Sequence, residues 1–161
     1  MKHVKTSIVL GMFAFLFSAC ASKTYQKQES KFIVFKTPTL KYADLGFVYE
    51  NSDEIKVELY GNGQVLRSLI ISKHKVCMST FACMDKKSFN REVLHESYPP
   101  TILENIFKGN PIFESKNLKK IRNGFTQKII NENKHHIEYK VLNNEIIFND
   151  TMNNIIIKVK K

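Results

Sequence analysis

The sequence predicts an α+β domain in which a curled antiparallel sheet forms an incomplete barrel and two short helices, inserted in the middle of the chain, act as a lid. Three observations predict it. Apolar and polar residues alternate in "EIKVELYG", residues 54–61; strand-like segments are joined by short Gly- or Asn-rich turns; and two helical segments interrupt the series once. Short turns favour antiparallel neighbours, and the inserted helices can cover only the apolar face of the sheet. The twist of such a sheet curls it toward a barrel.

The strand segments are recognised by their period of two. In residues 54–61, Ile55, Val57 and Leu59 share one face and charged residues the other, which is typical of a half-buried strand. Gly61-Asn62-Gly63 tolerates the positive φ of a hairpin turn. Further strands are predicted at 31–36, 42–50, 64–72, 124–131, 135–142, 145–150 and 153–160, with a short one through Val76.

The two helices are predicted at 86–96 and within "YPPTILENIFKGNPIF", residues 98–113. Pro99 and Pro100 suit the first turn of a helix, and Gly109 followed by Pro111 suits its end. The second helix carries one apolar stripe, formed by Ile102, Leu103, Ile106 and Phe107.

The N-terminus has the pattern of an export signal. A basic start is followed by an apolar run too short for a permanent membrane span, and then by "LFSAC", which resembles a bacterial lipobox. We therefore expect residues 1–19 to be a lipoprotein signal peptide, Cys20 to be the lipidated residue, 20–30 to be a tether and 31–161 to be a single domain. An ordinary signal peptide with a nearby free cysteine is the alternative.

The formal net charge of the chain is +10, which the loss of Lys2 and Lys5 with the signal would lower by two. An exported, anchored protein has little access to nucleic acid, so we expect no nucleic-acid partner, and anionic lipid headgroups are the nearer one. Scattered lysines also fit a role in solubility alone.

Cys77 and Cys83 enclose five residues. In an oxidising periplasm this spacing favours a disulfide. Free thiols, or a metal site shared with His74 or His95, are the alternatives, although the spacing matches no zinc pattern.

The chain has no motif of a known catalytic or phosphate-binding site. His135 and His136 adjoin on a turn and would point to opposite faces of a strand, so they suit a joint metal site poorly and are expected on a solvated turn. Glu54, Glu58 and Glu138 occupy polar strand faces, where surface charge is the ordinary explanation. We therefore expect that the protein is not an enzyme and that it binds no cofactor and no metal. The many large apolar side chains fit either a cavity or a well-filled core.

Four features, in this order along the chain, resemble the outer-membrane lipoprotein receptor family called LolB. They are the lipobox, "VELYGNGQVLRSLII", "YPPTILENIFKGNPIF" and "GFTQKIINENKHHIEY". The last three extend the resemblance over roughly residues 45–160.

The resemblance implies an outer-membrane-anchored monomer on the periplasmic face. Its apolar cavity would receive the acyl chains of lipoproteins from a soluble LolA-like carrier. The family's hairpin turn carries an exposed leucine that engages the membrane, for which Val65 and Leu66 are the nearest counterparts here. A structural or assembly lipoprotein of the envelope, with a filled core, is the alternative. The residues implied to line the cavity are Ile55, Val57, Leu59, Ile102, Ile106, Phe107, Ile137 and Tyr139.

Overall fold

The computed structural model describes residues 23–79 and 82–161. Within them one eleven-stranded antiparallel sheet has the order β6-β5-β4-β3-β2-β1-β11-β10-β9-β8-β7, so β6 and β7 form its two edges. The strands are β1 (Lys27–Lys36), β2 (Lys41–Glu50), β3 (Glu54–Gly61), β4 (Gln64–Ser72), β5 (Lys75–Met78), β6 (Ala82–Asp85), β7 (Leu118–Ile121), β8 (Gly124–Asn131), β9 (His135–Leu142), β10 (Glu145–Asp150) and β11 (Ile155–Lys160).

Two helices lie between β6 and β7, as the sequence predicts. Helix α1 (Lys86–Val93) begins at Asp85, whose side chain accepts hydrogen bonds from the backbone N–H groups of the first turn. Helix α2 (Ile102–Lys108) ends at Gly109, which adopts φ 67° and closes the helix with a left-handed cap. Pro99 and Pro100 lie just before α2 rather than in its first turn, and Pro99 C=O accepts a hydrogen bond from Ile102 N–H.

The sheet curls around a single hydrophobic core. Val76 on β5 and Ile129 on β8 belong to the same core, together with residues of both helices. Eight strand spacings separate β5 from β8, which would be about 38 Å in a flat sheet. The concave face therefore wraps around the helices. The prediction of a mainly antiparallel, unclosed sheet with two helices is confirmed, and the architecture is consistent with an incomplete barrel.

The predicted strands agree closely with the structure, with two kinds of exception. Strand β1 begins at Lys27, inside the segment expected to be a tether, because its first four residues pair with the end of β2. The edge strands β6 and β7 are missing from the prediction. Each has four residues, and neither shows a clear apolar period of two.

The signal peptide, the lipobox and Cys20 lie outside the described residues. Neither helix in the described part of the chain is long and apolar enough to cross a membrane.

Candidate functional site

The concave face of the sheet, where α2 packs, is the candidate site. All eight residues that the resemblance places in a cavity are buried and belong to the core. Ile106 is fully buried, and the Phe107 ring stacks on Phe35 of β1 with a centroid separation of 6.5 Å. The structure thus brings the predicted residues together, but as a packed core around the apolar stripe of α2.

A cleft of about 300 Å³ opens where the C-terminal end of α2 meets the concave face. We call it the mouth. Gly109 lies close to β9 and β10 here, since a Cβ atom on it would stand 3.5 Å from Ile146 and 3.6 Å from Val141. The mouth has an apolar floor and a charged rim. Its lining residues are Val48, Phe107, Gly109, Val141, Ile146 and Val159, with Lys27, Glu29, Lys31, Glu50, Lys108 and Asn144.

Ion pairs hold α2 against α1. Glu104 accepts from Lys86 Nζ at 2.8 Å and from Lys108 Nζ at 2.9 Å. The Lys86 side chain is almost fully buried. Burial of Glu104 acts to raise its pKa, but the hydrogen bonds from the two lysines outweigh burial and hold the pKa below its usual range. A buried charge that loses its partner is costly, so this pair resists separation of the two helices.

The segment that follows α2 is anchored to β8 by one side chain. Gln127 Oε1 accepts from Ile112 N–H at 2.8 Å, and its Nε2 donates to the carbonyls of Ile112 at 2.9 Å and Lys116 at 2.8 Å. The anchored segment contains a turn, Phe113–Ser115, in which three consecutive residues have positive φ. Each such residue costs about 1–2 kcal/mol in left-handed backbone. Gln127 therefore stabilises an unfavourable backbone conformation directly after the helix.

Tyr139 of β9 connects the sheet to α2 itself. Its hydroxyl donates to the carbonyl of Asn110 at 3.0 Å, and the Asn105 carbonyl lies 3.5 Å away. Burial raises the pKa of this hydroxyl, so it stays protonated and remains a donor. Gln127 and Tyr139 both belong to "GFTQKIINENKHHIEY", and they bond to the chain at and just after the end of α2.

A second polar cluster anchors the connection between α1 and α2. Ser97 Oγ lies 2.8 Å from His95 Nδ1 and 2.9 Å from His135 Nδ1, and Tyr98 donates a short hydrogen bond to Asp150. One hydroxyl proton cannot satisfy two acceptors, so at least one imidazole donates through Nδ1. The cluster joins the start of the α2 segment to β9 and β10.

The prediction that His135 lies on a solvated turn is wrong. It begins β9 and is only 5% exposed. Burial lowers its pKa, with His95, Lys116 and Lys134 acting in the same direction and Asp150 opposing them. Its neighbour His136 is half-buried, as expected for adjacent residues in a strand. The sequence carried no signal for this burial, since a histidine pair beside Asn-rich turns is typical of the surface.

The carboxylates of β3 are also placed differently from the prediction. Glu138 is exposed, but Glu54 and Glu58 are buried on the convex face. Glu54 accepts from Lys23 Nζ at 2.6 Å and from the Tyr25 hydroxyl at 2.7 Å. Both carboxylates are covered because large aromatic side chains and the segment before β1 pack over them.

Glu58 is held by three side chains. Lys56 Nζ lies 2.6 Å from one of its oxygens, and the hydroxyls of Tyr49 and Tyr60 donate to the other at 3.0 and 3.1 Å. Burial acts to raise its pKa, but these hydrogen bonds outweigh it and keep the pKa low. Burial also raises the pKa of Tyr49 to about 12, with help from its bond to Glu58.

Cys77 and Cys83 are directly opposite each other on β5 and β6 and form a disulfide with an S–S distance of 2.03 Å. Across residues 23–79 and 82–161, no group of three or more His, Cys, Asp or Glu side chains is arranged to hold a metal ion.

Val65 and Leu66, the predicted membrane-engaging residues, are exposed at the β3–β4 hairpin.

Comparisons of the chain with protein-family models, with curated proteins and with solved structures gave no match.

Proposed function

We propose that this protein is a lipid-anchored envelope protein that binds the acyl chains of lipoproteins and passes them to the outer membrane, in the manner of the LolB family. The observation that carries the proposal is a single short helix, wholly apolar on one side, seated in the concave face of an unclosed sheet with a mouth at its end. An acyl chain would enter at the mouth and replace the stripe of α2.

The α2 stripe and an acyl chain would gain comparable free energies from burial in the concave face. Burying each of the four stripe residues is worth about 1.5–3 kcal/mol, or roughly 6–12 kcal/mol together. A sixteen-carbon acyl chain gains about 0.8 kcal/mol per CH₂, or roughly 12 kcal/mol. One chain can therefore offset the displacement of α2, and a lipoprotein with three chains has a surplus. In this mechanism α2 acts as a displaceable plug, and the transfer involves no covalent step.

The anchors define which part of the chain would move. Asn90 of α1 donates to the carbonyls of Tyr98 and Pro99, both at 3.1 Å, and Gln127 holds Ile112. Residues 100–111 lie between these two fixed points and contain the whole stripe. Within the moving segment, the Lys86–Glu104 pair and the Tyr139 hydrogen bonds would have to open.

Site-specific photocrosslinking tests the proposal. A benzophenone amino acid replaces Phe107 at the mouth, and the control carries it at Ile130, which is exposed on β8. Each protein is mixed with a triacylated lipoprotein or with the same lipoprotein lacking its acyl chains. We expect crosslinks from position 107 only, and only with the acylated cargo. The absence of such crosslinks in a folded protein would contradict acyl-chain binding.

The filled core favours a second candidate, an assembly lipoprotein that contacts an envelope protein without taking up lipid. The same experiment separates the two, because an assembly protein would not distinguish acylated from non-acylated cargo. Depletion of the protein in cells adds a further distinction. A carrier's loss makes outer-membrane lipoproteins accumulate on their soluble carrier, whereas the loss of an assembly protein leaves their sorting normal.

A further inference from the structure

The convex face of β1 to β4 carries exposed apolar side chains next to one another. Phe32 on β1 is paired with Leu45 on β2, and Tyr60 on β3 is paired with Val65 on β4. Phe32, Leu45 and Val65 are 43%, 58% and 46% exposed. Together these three residues form what we call the convex apolar surface. A grouped exposed apolar surface marks an interaction site more often than single exposed residues do.

Two local features hold the hairpin end of this surface in place. The Tyr42 hydroxyl is inserted between β2 and β3, where it lies 2.6 Å from the Leu45 carbonyl oxygen and accepts from Tyr60 N–H at 3.0 Å. The Leu66 side chain lies over Gly61, since a Cβ atom there would come within 2.3 Å of Leu66 Cδ1. The ladder register also shifts between Leu59 and Tyr60. These features turn the hairpin without burying its aliphatic side chains.

An aromatic row continues from the hairpin along the convex face to the N-terminal end of the described chain. Tyr60 contacts Phe47 at a centroid distance of 5.3 Å, Phe47 contacts Tyr49 at 6.2 Å, and Tyr49 contacts Tyr25 at 5.4 Å. All four rings are half-buried. Tyrosines with an apolar body and a polar end suit a membrane interface. Tyr25, at the other end of the row from the hairpin, follows the predicted lipid attachment at Cys20 by five residues in the sequence.

The charge of this face is positive. On β1, β2 and β11, every charged residue whose position in the strand faces the convex side is a lysine: Lys36, Lys41, Lys158 and Lys160. The only convex carboxylates of β3 are buried and paired with lysines. Each lysine near an anionic membrane surface adds to the electrostatic attraction. The face therefore complements a layer of anionic lipid headgroups.

We infer that the convex face of β1 to β4 lies flat on an anionic bilayer, with the hairpin at one end and the lipid anchor at the other. The inference rests on the lipid-anchored state in the proposed function. It goes beyond that function because the whole face, and not only the tip of the hairpin, contacts the membrane. In this orientation Phe32 and Leu45 enter the headgroup region together with Val65. The mouth, which lies on the concave side, faces away from the membrane toward arriving cargo.

The chain contains no tryptophan, so single Trp substitutions report on one position each. The lipidated protein is reconstituted into vesicles of phosphatidylethanolamine and phosphatidylglycerol with brominated acyl chains, which quench tryptophan on contact. The variants are Phe32→Trp, Val65→Trp and, as a matched exposed control on β8, Ile130→Trp. We expect about twofold quenching for the first two and none for the control. Omitting phosphatidylglycerol should reduce the quenching of Phe32→Trp.

Quenching of Val65→Trp alone would overturn the flat orientation and leave the hairpin tip as the contact. Equal quenching at all three positions, or none at any, would overturn it as well. No cargo is present in this assay, so its outcome is independent of acyl-chain transfer. A protein that fails the crosslinking experiment can still pass this one.

Discussion

Both faces of β3 are buried, but different forces bury them. On the concave face, Ile55, Val57 and Leu59 pack in the hydrophobic core with α2. On the convex face, Glu54 and Glu58 are covered by tyrosines and paired with lysines. Apolar packing tolerates an exchange of partners, because it is non-directional. Buried carboxylates demand particular donors, so the convex face is the one that fixes a single arrangement.

The difference between the two faces predicts that substitutions on the concave face cause the largest loss of stability. Ile106→Ala removes a fully buried side chain of α2 and should lower the free energy of unfolding by about 4 kcal/mol. Ile130→Ala, at a 48% exposed position, should change it by less than about 0.5 kcal/mol. Urea denaturation measures both. Similar losses at the two positions would mean that α2 is not packed as described.

The polar anchor that Gln127 forms beside the concave core should matter nearly as much. Gln127→Leu leaves the N–H and C=O of Ile112 without partners next to a left-handed turn. Each unpaired buried group costs about 1–3 kcal/mol, so we expect a loss of about 3 kcal/mol. Lys128→Leu, at the adjacent exposed position, is the control. Hydrogen exchange should show the protection of the Ile112 amide lost in Gln127→Leu and kept in the control.

On the convex face, Glu58→Leu removes the acceptor of Lys56, Tyr49 and Tyr60. Because water can reach these half-exposed donors, we expect a smaller loss of about 2 kcal/mol. Glu138→Leu, which removes an exposed carboxylate, should have an effect of less than about 0.5 kcal/mol. Thermal unfolding of the pair decides whether Glu58 is structural. Equal unfolding midpoints for Glu58→Leu and Glu138→Leu would show that Glu58 acts only as a surface charge.

The two faces should also respond to different pH ranges. Burial lowers the pKa of His135 below 6.5, so the unfolded chain binds its proton first and stability falls as pH decreases below about 6.5. The pKa of Glu58 is lowered from 4.5, so its contribution is lost only as pH falls below about 4.5.

Unfolding measured from pH 8 to pH 3 should therefore show two separate decreases in stability. His135→Asn should remove the first decrease and leave the second, and Glu58→Gln should leave the first and make the second smaller, since Glu104 also has a lowered pKa. A single decrease that neither substitution alters would show that other groups control the pH dependence.

Local patterns predicted most of the strands and both helices, because each of these elements carries its own period and its own ends. Strands β3 and β8 to β10 begin and end where their alternating segments do. Gly109 ends α2 because its left-handed backbone is a local property. The edge strands β6 and β7 could not be predicted, since only a neighbouring strand defines them.

The candidate site was predictable in its apolar members and not in its polar ones. The helical spacing of residues such as Ile102 and Ile106 places them on one apolar face of α2. That face must be buried, and the apolar side of the sheet is the surface that can cover it. The partners of Lys86, Gln127 and Asp150 are 18, 15 and 52 residues away in the chain. Nothing in the local sequence indicates which long-range donor or acceptor a polar residue will meet.

The sequence by itself determined the antiparallel strands, the two inserted helices and the apolar stripe of α2, because periodicity and turn chemistry act within a few residues of each other. Only the tertiary structure decided that the eight cavity residues pack as a core, that Glu54 and Glu58 are buried, and that the apolar and aromatic residues of β1 to β4 share one exposed face. The physical reason is the curl of the sheet. Curling places distant strands around one helix on the concave side and groups the side chains of neighbouring strands on the convex side, and no local pattern specifies which residues meet there.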